Sequence, residues 1–129
     1  MRQAWLPATP EGAPLARAFV REVAGDLGLD SGSMWELMLA TTEAIANAVE
    51  HGSPCDPRGI ELRLDVDRGR LEVEVVDRGG CFPEVPRTGK PRGHGGRGLP
   101  IIAAVVDNFE VVPDHGMTRV RFEKRLARA

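Results

Sequence analysis

Ile60-Glu61-Leu62-Arg63-Leu64-Asp65-Val66-Asp67-Arg68-Gly69-Arg70-Leu71-Glu72-Val73-Glu74-Val75-Val76-Asp77 is the stretch that decides the fold. Ile60, Leu62, Leu64 and Val66 alternate with Glu61, Arg63 and Asp65, and Leu71, Val73 and Val75 repeat the alternation after the turn Asp67-Arg68-Gly69-Arg70. Successive strand side chains point to opposite faces, so this spacing predicts a hairpin with one apolar face. That face requires a covering layer, and the flanking sequence supplies one.

Before the hairpin, Arg2 to Leu6 reads as a short edge strand ending at Pro7, and Thr9-Pro10-Glu11-Gly12 reads as a turn. A first helix follows, with Pro14 in its opening turn, a stripe of Leu15, Phe19, Val20, Val23 and Leu27, and Gly28 as its stop. Ser33 with Glu36 has capping-box spacing, and the helix it opens runs to His51, where Gly52 supplies a left-handed end. After the hairpin, residues 78 to 97 hold too much Gly and Pro for regular structure and read as a long loop. Leu99 to Val106 is apolar nearly all round and predicts a buried helix opening at Pro100 and ending at Asp107-Asn108. Phe109 to Val112 and Thr118 to Glu123 form a second hairpin across Pro113-Asp114-His115-Gly116, with Thr118, Val120 and Phe122 on one face. The expected fold is an α+β two-layer sandwich, a mixed, mostly antiparallel sheet of about five strands covered on one face by three helices. It forms a single domain over 1–129.

Composition narrows the function. The chain has 129 residues, 42% hydrophobic and 28% charged, with 15 Gly and 10 Pro, as expected of a globular domain rich in loops. No apolar run approaches the roughly 20 residues of a membrane span, and Met1 to Pro10 lacks a basic region followed by an apolar stretch. Cys55 and Cys81 form no CxxC pair, and His51, His94 and His115 have no metal-ligand spacing. A cytoplasmic protein with no membrane association is expected. The net charge of −2 argues against direct binding of nucleic acid. Basic charge gathers in residues 83 to 98, where Arg87, Lys90, Arg92 and Arg97 face Glu84 alone.

Three places can carry chemistry. On the second helix, Met34, Leu37, Met38, Thr41, Ala44, Ile45, Ala48 and Val49 share the arc that faces the sheet, leaving Glu36, Glu43, Asn47 and Glu50 opposite. Periodicity makes that stripe a solvated polar face in the first instance. Two details admit a site: Ala40 and Ala46 flank Glu43 with little bulk, and Glu43 and Asn47 lie one turn apart, able to share a hydrated Mg²⁺ or set a base beside one. Asp77-Arg78-Gly79 at a strand end is either an ordinary turn or an acceptor for an exocyclic amine, with Gly79 letting a flat ring lie against backbone. Gly93 to Leu99 opens onto a helix and is either a flexible loop or an anion cradle, with Lys90, Arg92 and Arg97 adding cations. It is neither a P-loop nor a Rossmann fingerprint.

Taken in order, these blocks resemble the GHKL, or Bergerat-fold, ATPases. Glu43-Ala44-Ile45-Ala46-Asn47-Ala48-Val49-Glu50-His51-Gly52 looks like the N box, Asp77-Arg78-Gly79 like the first glycine box, and Gly96-Arg97-Gly98-Leu99 like the second. Thr118 matches the threonine that closes the adenine pocket. Leu6-Pro7-Ala8, Leu15-Ala16-Arg17 and the run Gly96 to Asp107 are similar to anti-sigma factor serine kinases of the RsbW type. No histidine-bearing dimerisation helix or transducer domain is expected.

The resemblance implies ATP and Mg²⁺ as cofactors. It implies Glu43 as general base, Asn47 as Mg²⁺ ligand, and Asp77, Gly79 and Thr118 around the adenine. Gly96, Gly98 and Leu99 would wrap the triphosphate, and Arg97 would neutralise it. Cys81 departs from the glycine or serine of many relatives, and the lid is short. The implied reaction is phosphorylation of a serine on a STAS-type anti-sigma factor antagonist, coupled to sequestration of a sigma factor, with Arg17 on the partner-binding surface. The alternative is an ATP-binding partner switch without phosphotransfer, acting in transcription or outside it. The oligomeric state stays open, a homodimer included.

Overall fold

The computed structural model describes residues 1–51, 59–77, 100–114 and 117–126. The elements run β1 (Arg2–Leu6), α1 (Gly12–Ala24), α2 (Ser31–His51), β2 (Ile60–Asp67), β3 (Arg70–Asp77), a short helix α3 over 100–105, β4 (Asn108–Asp114) and β5 (Met117–Arg125). Among the described residues the sheet has five strands in the order β1-β2-β3-β5-β4, with the expected edge strand β1 at one side. Every pairing is antiparallel, so the sheet is not mixed. β3 and β4 run in the same direction, but β5 lies between them and is antiparallel to both, so no two parallel strands are neighbours. No helix among the described residues is long and apolar enough to cross a membrane.

The quoted hairpin forms about the expected turn, with Leu62 opposite Val75 and Leu64 opposite Val73. Its turn places Arg68 at φ 51° and Gly69 at φ 75°, two left-handed residues in succession, as a two-residue hairpin with the right-handed strand twist requires. Ile60, Leu62, Leu64, Leu71, Val73, Val75, Val120 and Phe122 are buried on one face. Val66 is exposed near the end of β2, where the covering helices no longer reach. Phe122 lies opposite Val73 on one side and Phe109 on the other. Its complete burial contributes about 2–3 kcal/mol. The outer face carries a charge ladder in which Arg63 donates to Glu61 (2.8 Å) and Glu74 (3.0 Å), and Arg121 donates to Glu72 and to Glu110 (3.1 Å).

The helices cover the apolar face. On α1 the buried stripe is Gly12, Ala16, Val20 and Ala24, with Phe19 and Val23 partly covered. Leu15, expected in the core, is 50% exposed. The stripe of small residues faces chiefly α2, and Gly12 leaves no room for a side chain, since a Cβ there would lie 2.6 Å from the Pro7 carbonyl oxygen and 3.6 Å from Ile45 of α2. The α2 arc is buried as expected, with Leu37, Met38, Thr41, Ala44, Ile45 and Ala48 inside. Its cap differs. Asp30, not Ser33, closes the N-terminus, accepting the Ser33 N–H at 2.7 Å, and the helix begins at Ser31. Bonds from the Ser33 backbone and hydroxyl hold the Asp30 carboxyl below its ordinary pKa. In α3 only Ile102 is completely buried, while Ile101, Ala103 and Ala104 are exposed, so this helix lies at the margin of the core.

Candidate functional site

Leu71, Val73 and Val75 of β3 point into the core, and the next position on that face is Asp77, a carboxylate only 7% exposed at the last residue of the strand. Thr118, in turn, opens the core face of β5 ahead of Val120 and Phe122. The strand register sets Asp77 directly opposite Thr118. Side chains paired in this way have their Cβ atoms about 5 Å apart. At this end the core face therefore closes in a carboxylate beside a hydroxyl. An acceptor next to a group that both donates and accepts suits the edge of a flat, nitrogen-rich ring.

The helix above contributes the second half of the site. α2 packs on β3 and β5, and Glu43 and Asn47 stand one turn apart on it, about 6 Å along the axis, both half-buried. Their stripe continues back through Ala40 and Glu36. Ala40 is completely buried, and Glu36 accepts a hydrogen bond from Lys124 on β5. This stripe thus lies along the β5 side of the molecule, with the Glu36 side chain 40% exposed. The clearance expected beside Glu43 does not come from the alanines, since Ala40 is packed. Ala46 instead lines a cavity of about 270 Å³ with Thr9, Pro10, Ala13, Ile45, Val49 and Glu50. Glu50 therefore belongs to the α1 side of the helix, apart from Glu43 and Asn47.

Arg17 is half-buried on α1, and its Nη1 donates to Thr42 Oγ1 on α2 at 3.0 Å. The Thr42 hydroxyl donates onward to the Met38 carbonyl at 2.8 Å. The guanidinium is thereby oriented by the neighbouring helix. Gly79, Gly96, Arg97, Gly98 and Leu99 lie outside the described residues. Sequence reasoning passed over Lys124, which is buried at the far end of the same β5 face. Its signal was present in the alternation Thr118, Val120, Phe122, which lands next on a lysine where an aliphatic residue is expected.

A family described as the histidine kinase-like ATPase domain matches residues 6–124. The chain is 31% identical to the serine-protein kinase RsbW of Bacillus licheniformis over 124 residues, covering 87% of this chain and 78% of the relative. It is likewise 31% identical to the serine-protein kinase RsbW of Bacillus subtilis over 125 residues, covering 88% and 78%. Among solved structures, the RsbU and RsbW domains of a Mycobacterium tuberculosis protein superpose with a TM-score of 0.77 at 27% identity. That match covers 99% of this chain and 33% of the other, so the chain spans a third of that protein's length. A histidine kinase domain from Erythrobacter litoralis, at 20% identity and a TM-score of 0.56, shares the fold.

Proposed function

The chain belongs to the histidine kinase-like ATPase domain family, and from that premise we propose that Asp77 and Thr118 form its adenine pocket while Glu43 and Asn47 serve the phosphate end. It is an ATP-using serine/threonine protein kinase, in line with relatives named serine-protein kinases. The observation that carries the site assignment is the pairing of Asp77 with Thr118, because two residues far apart in sequence and matched separately to one pocket are direct neighbours across β3 and β5.

Each residue then has a task set by its chemistry. Asp77 accepts a hydrogen bond from the exocyclic amine of adenine, which a guanine carbonyl at the same place cannot donate. Thr118 closes the pocket beside it, and Gly79 lets the ring lie against backbone. Glu43 accepts the proton of the substrate hydroxyl, and Asn47 offers its carboxamide oxygen to Mg²⁺. Mg²⁺ takes oxygen ligands and keeps several waters, so phosphate oxygens and water would complete its shell around the Asn47 carboxamide. Bound ATP supplies the phosphoryl group and those phosphate oxygens. Gly96, Gly98 and Leu99 contribute backbone around the phosphates, and Arg97 contributes charge. We read 1–129 as one such domain, acting in the cytoplasm on a serine of a STAS-type anti-sigma factor antagonist and sequestering a sigma factor.

The test is phosphotransfer from labelled ATP to candidate STAS antagonists, in wild type and in Glu43→Gln. The substitution keeps size and hydrogen bonding but removes the base, so transfer should fall about 10²–10⁴-fold while ATP affinity is kept. Transfer at the wild-type rate would remove Glu43 from the mechanism. ATP binding without transfer to any antagonist would favour a nucleotide-dependent switch over a kinase.

A further inference from the structure

Lys124 is the one buried cation among the described residues, with its side chain 9% exposed on the core face of β5 directly opposite Leu71. A lysine at an aliphatic position costs free energy unless its ammonium is well partnered. Here the ammonium reaches two elements at once. It donates to Glu36 on α2 and, at 2.9 Å, to the Val105 carbonyl at the end of α3. Asp30, the cap of α2, is near enough to feel its charge. The end of α3 is held to β5 by two further bonds, Asp107 N–H to the Glu123 carbonyl at 2.9 Å and Arg125 N–H to Asp107 Oδ2 at 2.5 Å. Without Lys124, α3 remains tied to the sheet, but nothing in this cluster ties it to α2.

Glu36 lies on the stripe of Glu43, two turns before it and about 10 Å along the axis. α3 begins immediately after Gly96-Arg97-Gly98-Leu99 in the chain. We propose that Lys124 is a positioning residue of the kinase, which fixes the spacing between the helix bearing Glu43 and Asn47 and the helix that follows the second glycine box. The proposal rests on the nucleotide-site reading above. An ion pair with one partner 40% exposed adds little net stability, and methionine fits such a face at least as well. The clasp is therefore poorly explained by stability and well explained by geometry.

The experiment compares wild type, Lys124→Met, Glu36→Ala and the double variant by thermal unfolding, adenosine affinity and steady-state phosphotransfer. Asp77 and Thr118 lie at the opposite end of the core face from Lys124, so adenosine affinity should stay at the wild-type value in all four. For Lys124→Met, kcat should fall about 10- to 100-fold, because displacing reacting groups by about 1 Å has effects of that size, with a smaller change in KM for ATP. The double variant should be no slower than the slower single one, since both open the same clasp. Turnover within twofold of wild type in folded Lys124→Met overturns the proposal, as does multiplicative loss in the double variant. A parallel loss of melting temperature, adenosine affinity and kcat makes Lys124 a scaffold residue only. Should Lys124→Met fail to fold, Glu36→Ala carries the same prediction from a half-exposed position. Wild-type protein that binds no adenosine removes the nucleotide-site reading and the proposal together, whereas active wild type with unaffected variants removes the proposal alone.

Discussion

Asp77→Asn is the substitution that bears most directly on the nucleotide pocket. The carboxylate is 7% exposed and ends a face of Leu71, Val73 and Val75, so it is an acceptor in surroundings from which water is largely excluded. A hydrogen bond to a charged group in such a place is worth about 1.5–3 kcal/mol. At 1.4 kcal/mol per factor of ten, its loss weakens ATP binding about 10- to 100-fold. Asn has nearly the same volume and keeps an acceptor oxygen at the same place, so thermal unfolding should change little. Calorimetric titration with ATP, adenosine and GTP separates the contributions. ATP and adenosine should lose affinity by the same factor, because the lost bond concerns the base and not the phosphates, and GTP should bind neither form. Equal ATP affinity in the two proteins, or GTP bound as well as ATP by wild type, would refute the pocket assigned to Asp77.

Arg17→Ala should weaken capture of the antagonist or the sigma factor by about 2 kcal/mol, near 30-fold, with ATP affinity unchanged. Removal of the bond to Thr42 should be felt only slightly in stability, and a surface-binding assay with each purified partner measures the loss. Gly59→Ala should destabilise the protein by about 3 kcal/mol, lowering the melting temperature by roughly 10 °C, because φ is +89° and a Cβ there would lie 2.1 Å from the Leu6 carbonyl oxygen. Asp30 has a folded-state pKa below its unfolded value, so its contribution is present above the unfolded pKa and is lost as pH falls through the folded one. Melting temperatures of wild type and Asp30→Ala measured down an acid series should therefore converge, and a constant gap would show that the Asp30 charge is not what caps α2.

The elements of this protein are legible in its sequence because their signals are local. Alternation over Ile60–Asp77 specifies two strands and their buried face, since one residue of slip would turn every aliphatic side chain to water. The arc of α2 is equally plain, and Glu43 and Asn47 fall one turn apart for any helix. What the sequence left undecided depends on where other elements lie. Leu15 and Val20 both fit a stripe on α1, and only the position of its packing partners, α2 above all, chooses Val20. Ser33 and Asp30 are both competent caps, and the choice follows from where the chain turns into the helix. Most of all, the polar stripe of α2 reads as a solvated face until β5 brings Lys124 beneath Glu36, and Asp77 reads as a turn residue until the β3–β5 register sets it against Thr118. Periodicity reports which residues share a face. Only long-range pairing, which no local pattern encodes, decides what that face meets.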